Sequence, residues 1–85
     1  MARILRLKSC LDKSGKTRSP FYADQLVGLM TKPVKTGSGR AVGWPEHELD
    51  AIIAARIAGA NADEIRQLVQ RLHDARKTMA QSVAA

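Results

Sequence analysis

Apolar side chains at the start of the chain recur at the spacing of a short helix. Residues 4–5 form an apolar stretch, and Leu7, Cys10 and Leu11 then stand three and four positions apart with polar residues between them. This spacing predicts a first helix with one buried face. Gly15 is the expected end of that helix, because glycine adopts the left-handed conformation of a helix C-cap without strain.

A second helix is predicted after a tight turn. Thr17 or Ser19 can accept hydrogen bonds from free amides at its start, and Pro20 is tolerated in a first turn. Gly28 is expected to end it. Phe21, Gln25 and Leu29 share one face of this helix, and Tyr22, Leu26 and Met30 share another. Two helices joined by so short a glycine-containing turn are typical of a helix-turn-helix.

Between residues 32 and 44 the pattern changes from helical spacing to alternation. The dipeptide at 32–33 is Lys-Pro, which disfavours a helix. Apolar or β-branched side chains then alternate on both sides of the segment 37–40, at Val34, Thr36, Val42 and Trp44. This alternation predicts a β-hairpin with a glycine-rich tip. A hairpin this small is unstable alone, so we expect it to pack against the helices as a wing, anchored by Trp44.

Helical spacing returns after Pro45. Acidic residues at 46, 48 and 50 suit the positive end of a helix dipole, and the apolar face of this third helix comprises Leu49, Ile52, Ile53 and Ile57. Asn61 and Glu64 fit a capping box that opens a fourth helix. The apolar stripe of the fourth helix consists of Ile65, Leu68, Val69, Leu72 and Met79.

The order helix, helix, hairpin, helix, helix predicts a mainly α protein, a winged helix-turn-helix followed by one C-terminal amphipathic helix. With 85 residues, the chain has room for one small core. We expect residues 1–60 to form the winged helix-turn-helix domain and residues 61–80 to form a helix that packs on this core or mediates oligomerisation. Residues 81–85 are expected to be a frayed tail.

Basic residues are concentrated in the first half of the chain, within a formal net charge of +6. Residues 1–43 contain nine Lys and Arg against two Asp, whereas residues 44–85 contain five against six Asp and Glu. Such an excess can simply keep a small protein soluble. Because it lies in the predicted helix-turn-helix and wing, nucleic acid is the favoured partner.

Few residues offer catalytic or metal-binding chemistry. His47, His73 and Cys10 are too few for a structural zinc site, and both histidines are expected on helix surfaces. No recognised spacing sets a nucleophile beside a base, so we expect no enzyme activity, no metal and no cofactor. Cys10 is expected in the core, and a single cysteine suits a reducing cytoplasm. No apolar run approaches the roughly 18 residues of a transmembrane helix, so no membrane partner is expected.

Four segments carry a family resemblance: Arg3–Lys8, Ser14–Tyr22, Lys32–Lys35 and Gly39–Trp44. The second ends in Arg-Ser-x-x-Tyr and the fourth in Arg-x-Val-Gly-Trp. Together they resemble the AlpA family of small phage- and island-borne regulators, which are related to MerR-type winged helices and to excisionases. The resemblance covers approximately residues 3–57 and implies a sequence-specific DNA-binding protein of a mobile element. Such a protein acts as a transcriptional regulator, as an excisionase, or as both.

The resemblance implies that the second helix lies in the major groove of DNA. The contacts implied for this helix and the turn before it are Lys16, Thr17, Arg18, Ser19, Tyr22 and Gln25. Arg18 would contact guanine or phosphate, and Gln25 would read adenine. The contacts implied for the wing, in the neighbouring minor groove, are Lys35, Ser38 and Arg40. Asp24 would accept a hydrogen bond from cytosine or repel phosphate.

Several of these assignments have open alternatives. The ring of Tyr22 can belong to the core, with its hydroxyl alone reaching outward, and Arg40 can be a solvated loop charge. The stripe of the fourth helix can pack on its own core or meet a neighbouring protomer on repeated sites. The contact residues in the latter case would be Leu68, Leu72 and Met79.

The predicted function is therefore binding of double-stranded DNA in the cytoplasm, at the nucleoid when bound, with an integrase as a further partner in the excisionase role. A protein–protein adaptor whose helix-turn-helix no longer reads DNA is the alternative, supported by the apolar stripe and opposed by the basic first half. RNA binding is disfavoured, because three aromatic residues do not provide a stacking platform.

Overall fold

Four helices and a hairpin follow one another along the chain in the predicted order, preceded by a short strand that the sequence pattern did not predict. A computed structural model describes residues 3–37 and 39–84, with side chains as far as Met79. The elements are β1 (Ile4–Leu5), α1 (Leu7–Ser14), α2 (Arg18–Leu26), β2 (Val34–Lys35), β3 (Val42–Pro45), α3 (Glu46–Ile57) and α4 (Ala62–Ala84). Four helices with a small antiparallel sheet, within these residues, confirm the mainly α class.

The turn between α1 and α2 follows the sequence pattern in its backbone but not in its cap. Gly15 ends α1 in the left-handed region at φ 70°, and its amide donates to the carbonyl of Leu11, as the glycine signal predicts. Thr17 occupies the N-cap position of α2 without a side-chain hydrogen bond to the helix, so the predicted cap is wrong there. One reason is that Pro20 is the third helical residue and has no amide hydrogen for a cap to accept.

The three strands form one sheet with β3 at its centre. The predicted hairpin is confirmed as β2 and β3, in which Val34 lies opposite Gly43. The strand that the sequence pattern missed is β1, which pairs antiparallel with the other side of β3 and places Leu5 opposite Trp44. Two residues are too few to show an alternation, so β1 has no period of its own.

Gly43 is the sequence signal that points to this missed strand. A Cβ atom on Gly43 would lie 2.8 Å from the carbonyl oxygen of Leu5 and would also clash with the side chain of Ile4. Glycine inside a strand often marks a close approach of another backbone. Here it allows β1 to come close enough to pair with β3.

One core joins the helices to the sheet. Its buried members are Leu5, Cys10, Phe21, Met30, Trp44, Leu49, Ile52, Ile65 and Val69. The core position expected for Cys10 is confirmed, and burial raises the pKa of its thiol, against a smaller lowering effect of Lys13. Leu68 and Leu72 of α4 are half-buried and pack against the cluster. The fourth helix therefore covers the same core as the first three.

Both ends of α4 can be compared with the sequence prediction. At its start, the amide of Glu64 donates to Oδ1 of Asn61 at 2.9 Å and the amide of Asn61 donates to Oε1 of Glu64 at 3.0 Å, which confirms the capping box. At its other end, where a frayed tail is predicted for residues 81–85, residues 81–84 continue the helix and Ala85 lies outside the described residues. Across residues 3–37 and 39–84, no helix has the length and apolar character needed to cross a membrane.

Candidate nucleic-acid interface

One face of α2 is open to solvent. Phe21 is fully buried on the inner side of this helix, whereas the exposed side chains are Arg18, Ser19, Pro20, Tyr22, Ala23 and Leu26. Viewed down the helix axis, with about 3.6 residues per turn, these exposed positions other than Pro20 span an arc of about 140°. The helix thus packs by one side and leaves a continuous outer surface, which includes three of the predicted DNA contacts.

Trp44 fixes the position of α2 relative to the hairpin. Its side chain is 1% exposed, and its ring stands edge-on to the rings of Phe21 and Tyr22, with centroids 5.2 and 6.5 Å away. The indole Nε1 donates to the carbonyl of Thr31 at 3.1 Å. The anchoring role expected for Trp44 is therefore confirmed, since this side chain of β3 contacts α2 and the segment between α2 and the hairpin.

Tyr22 packs against the core and is also partly exposed, so its position is compatible with both alternatives considered from sequence. Its ring packs edge-on against Phe21, with centroids 6.1 Å apart, yet the residue remains 39% exposed. Packing against core aromatics restricts the ring, while part of the residue is accessible to solvent. The side chain is thereby held in one orientation at the middle of the exposed face of α2.

Lys16 and Asp24 are paired with each other. The ammonium group of Lys16 contacts the carboxylate of Asp24, and Arg56 of α3 approaches the same carboxylate at 3.4 Å. Asp24 therefore ties the turn, α2 and α3 together, and its side chain is 17% exposed. Two cations of the protein therefore balance the charge of Asp24. This pairing fits neither of the roles considered from sequence, which were accepting a hydrogen bond from cytosine and repelling phosphate.

Gln25 is half-buried at the inner edge of α2. Its carboxamide oxygen has no access to solvent and no hydrogen-bond partner among the described residues. Reading adenine requires the amide to present both its oxygen and its nitrogen to the base edge. We therefore leave Gln25, together with Lys16, out of the contact set proposed below.

The hairpin presents the predicted wing residues, as far as they are described. Lys35 at the end of β2 and Arg40 in the tip are both exposed, and Ser38 lies outside the described residues. The tip is closed by the amide of Thr36, which donates to the carbonyl of Ala41 at 3.1 Å. Gly39 adopts φ 84°, the left-handed geometry that its sequence position in a tight tip requires.

Basic side chains of the first half fall into two groups. Three pair with acidic groups: Arg3 with Glu46, Lys13 with Glu46 and Asp50, and Lys16 with Asp24. Within residues 3–37 and 39–79, the other six have no carboxylate within 4.0 Å. These six are Arg6, Lys8, Arg18, Lys32, Lys35 and Arg40. Among the described residues of the first half, the positive charge left for an external anion is thus located around α1, α2 and the hairpin.

The sequence did not predict a set of hydrogen bonds that joins α4 to the base of the hairpin. The amide of Lys32 donates to Nε2 of His73 at 3.1 Å, and Arg76 donates to the carbonyl of Lys32 at 2.7 Å. Arg76 also holds the fully buried Glu48 through two hydrogen bonds. These partners are 28 to 44 positions apart in sequence, so no local pattern could indicate them.

His73, which takes part in these hydrogen bonds, is the histidine whose predicted surface position is wrong. It is half-buried instead of lying on a helix surface, and burial lowers the pKa of its imidazole, with the charge of Arg76 adding to the shift. The neutral ring is the form that can accept from the Lys32 amide. His47, by contrast, is exposed on α3 as expected.

Neither metal chemistry nor known relatives add to this description. Among the side chains described, no three of His, Cys, Asp and Glu lie close enough together to hold a metal ion. No protein-family model matches the chain, and no curated protein or solved structure matches it either. The resemblance to AlpA proteins therefore remains a prediction from the residues named above.

Proposed function

We propose that this protein is a winged helix-turn-helix that binds double-stranded DNA, with α2 in the major groove and the β2–β3 hairpin as the wing. The observation that carries the proposal is the set of unpaired basic side chains around these elements. A surface that neutralises phosphates needs cations that are not already committed to carboxylates. Arg18, Lys35 and Arg40 meet this condition, and Lys16 does not.

The N-terminal end of α2 is suited to a phosphate. Arg18 is exposed there, and the amides of Arg18 and Ser19 donate no hydrogen bond to the side chain of Thr17. Free amides at a helix start and the positive end of the helix dipole both favour an anion. In our proposal, Thr17, Arg18, Ser19 and Tyr22 orient the helix on the duplex, and Arg18 also reaches a base edge.

Support for the adaptor alternative is weaker than the sequence pattern indicated. Its main support was the apolar stripe of α4, but Ile65 and Val69 are buried and Leu68 and Leu72 pack against the core. Of the stripe, Met79 alone is exposed. A helix that is used to complete its own core leaves little apolar surface for a partner.

The biological role follows from the AlpA resemblance and is part of the proposal. A regulator and an excisionase of a mobile element share the same contact chemistry and differ in where they bind. A footprint over the upstream region of the encoding gene and over any adjacent attachment site separates them. Protection of the promoter alone indicates a regulator, whereas protection of attachment-site arms indicates an excisionase that recruits an integrase.

DNA binding itself is tested by the salt dependence of affinity. If about five phosphates are neutralised, the logarithm of the association constant falls with the logarithm of salt concentration at a slope of about −4.5. Arg18→Ala should lower affinity about tenfold or more, in line with loss of a base or phosphate contact. Arg71→Ala is the matched control, since Arg71 is exposed on α4 and has no carboxylate within 4.0 Å among the described residues. A salt-independent affinity, or equal losses in both variants, would contradict the proposal.

A further inference from the structure

Leu26 is the most exposed of the large apolar side chains described, at 87% of its surface. A single exposed leucine is common on protein surfaces and needs no explanation by itself. Its position is what distinguishes it. Arg18, Tyr22 and Leu26 are four residues apart, so they form one ridge along the outer side of α2. That ridge is about 12 Å long at the rise of an α-helix, similar to the width of about 12 Å of the major groove.

The polar side chains that could read bases from the second half of α2 are turned inward or committed elsewhere. Asp24 is bound by Lys16 and Arg56, and the carboxamide oxygen of Gln25 has no access to solvent. Ala23, beside the ridge, is small enough not to hold a base edge away from it. At this end of the helix, the side chain that remains for contact with a base edge is therefore apolar.

The major groove offers one apolar group to such a side chain. Thymine carries a C5-methyl group there, whereas cytosine, adenine and guanine present hydrogen-bonding groups at their edges. Given the DNA binding proposed above, we propose that Leu26 contacts thymine methyl groups. This contact gives the protein a preference for thymine at base pairs that lie at least one turn of α2 away from the base contacted by Arg18. Leu26 is then a residue that sets specificity, while Arg18 and the wing supply most of the affinity.

The test uses deoxyuridine, which pairs like thymidine but lacks the methyl group. Duplexes that bind the protein are first selected from a random-sequence library, and each thymidine of a selected duplex is then replaced by deoxyuridine. For the unaltered protein, we expect replacement at one or two positions to weaken binding about fourfold per methyl group. For Leu26→Ala, the thymidine and deoxyuridine duplexes should bind equally.

Ile57→Ala is the matched control. Ile57 is also strongly exposed, at 82%, but it lies at the end of α3 and not on the ridge. This variant should discriminate thymidine from deoxyuridine as the unaltered protein does. Thermal unfolding of both variants should remain cooperative, because each removes a side chain that lies outside the core.

The outcomes separate this inference from the proposal on which it rests. If duplexes are selected but deoxyuridine binds as tightly as thymidine at every position, DNA binding stands and the role of Leu26 is wrong. The same conclusion follows if Leu26→Ala retains the discrimination, or if Ile57→Ala loses it. If no duplex is enriched and binding to DNA is independent of salt, DNA binding itself is wrong.

Discussion

The carboxylate of Glu48, which is completely buried, is held by the guanidinium group of Arg76 through hydrogen bonds of 2.7 and 2.5 Å. The two residues belong to α3 and α4, and Arg76 additionally donates to the carbonyl of Lys32. A buried carboxylate is tolerated when it is paired and hydrogen-bonded. This pair joins α4 to α3 and, through Lys32, to the segment that leads into the hairpin.

Breaking this pair from one side should strongly destabilise the fold. Arg76→Met leaves an uncompensated carboxylate in the core, for which we expect a loss of about 3–5 kcal/mol in urea unfolding. Arg71→Met, on an exposed position of the same helix, should change stability by less than about 0.5 kcal/mol. Combining Arg76→Met with Glu48→Gln should recover part of the loss, because the buried charge is gone. Equal effects of the two arginine variants would show that the ion pair does not stabilise the protein.

His73 should make stability depend on pH below the usual histidine pKa of 6.5. Because the pKa of His73 is lowered in the fold from its usual 6.5, the unfolded chain binds more protons in this range and stability rises with pH. The stability that the neutral imidazole of His73 contributes is complete above the pKa of this group in the unfolded chain. It is lost as the pH falls through that value towards the lower pKa in the folded protein. Unfolding free energies measured at several pH values should show this slope. His73→Gln keeps an acceptor for the Lys32 amide without titrating and should flatten the slope, whereas His47→Gln should preserve it.

Trp44 should be required for cooperative folding. Removal of a buried aromatic side chain costs about 3–5 kcal/mol, which is a large part of the stability of a small domain, so Trp44→Ala should lose its cooperative thermal transition. Trp44→Phe keeps a ring against Phe21 but loses the hydrogen bond to Thr31, and it should remain folded at a smaller cost. A well-folded Trp44→Ala protein that fails only in DNA binding would instead place the indole at the interface.

Lys35 should contribute to DNA affinity without sequence preference. As an exposed and unpaired cation of the hairpin, it is expected to contact phosphate, so Lys35→Ala should weaken binding to all duplexes alike and reduce the salt slope by about 1. Lys77→Ala removes an exposed lysine from α4 and serves as the control. Titrations at several salt concentrations distinguish the two, and an unchanged slope in Lys35→Ala would exclude the hairpin from the interface.

The apolar stripe of α4 should divide into a core part and an exposed part. Leu68→Glu places a charge against the core and should destabilise the fold by at least about 2 kcal/mol. Met79→Glu should fold normally, because Met79 is 41% exposed. If protomers associate on repeated sites through this end of α4, Met79→Glu should bind a single site normally and lose cooperativity across adjacent sites. Retained cooperativity would locate self-association elsewhere.

Much of the local structure was predictable because its causes are local. The glycine that ends α1, the alternation that forms β2 and β3, and the capping box at Asn61 and Glu64 each depend on residues a few positions apart. The exposure of the candidate site residues was predictable to a lesser extent. Arg18, Tyr22, Lys35 and Arg40 are exposed, whereas Lys16 is paired and Gln25 is turned inward. Sequence position identifies a residue as a candidate, but exposure depends on the neighbours that fold against it.

By itself, the sequence determined the four helices, the hairpin, their order and the concentration of basic charge in the first half, since these follow from backbone preferences and composition. The tertiary structure decided which apolar positions are covered. The helical period puts Leu26 on one line with Tyr22 and Met30, yet Met30 is buried and Leu26 is exposed, because α2 ends at Leu26 and the chain then turns towards the core. It also decided which charges are free, since Glu48 and Arg76 are 28 positions apart and pair only when α3 packs on α4, and Lys16 of the turn pairs with Asp24 of α2. Contacts of that kind arise only when helices pack, and no spacing along the chain encodes them.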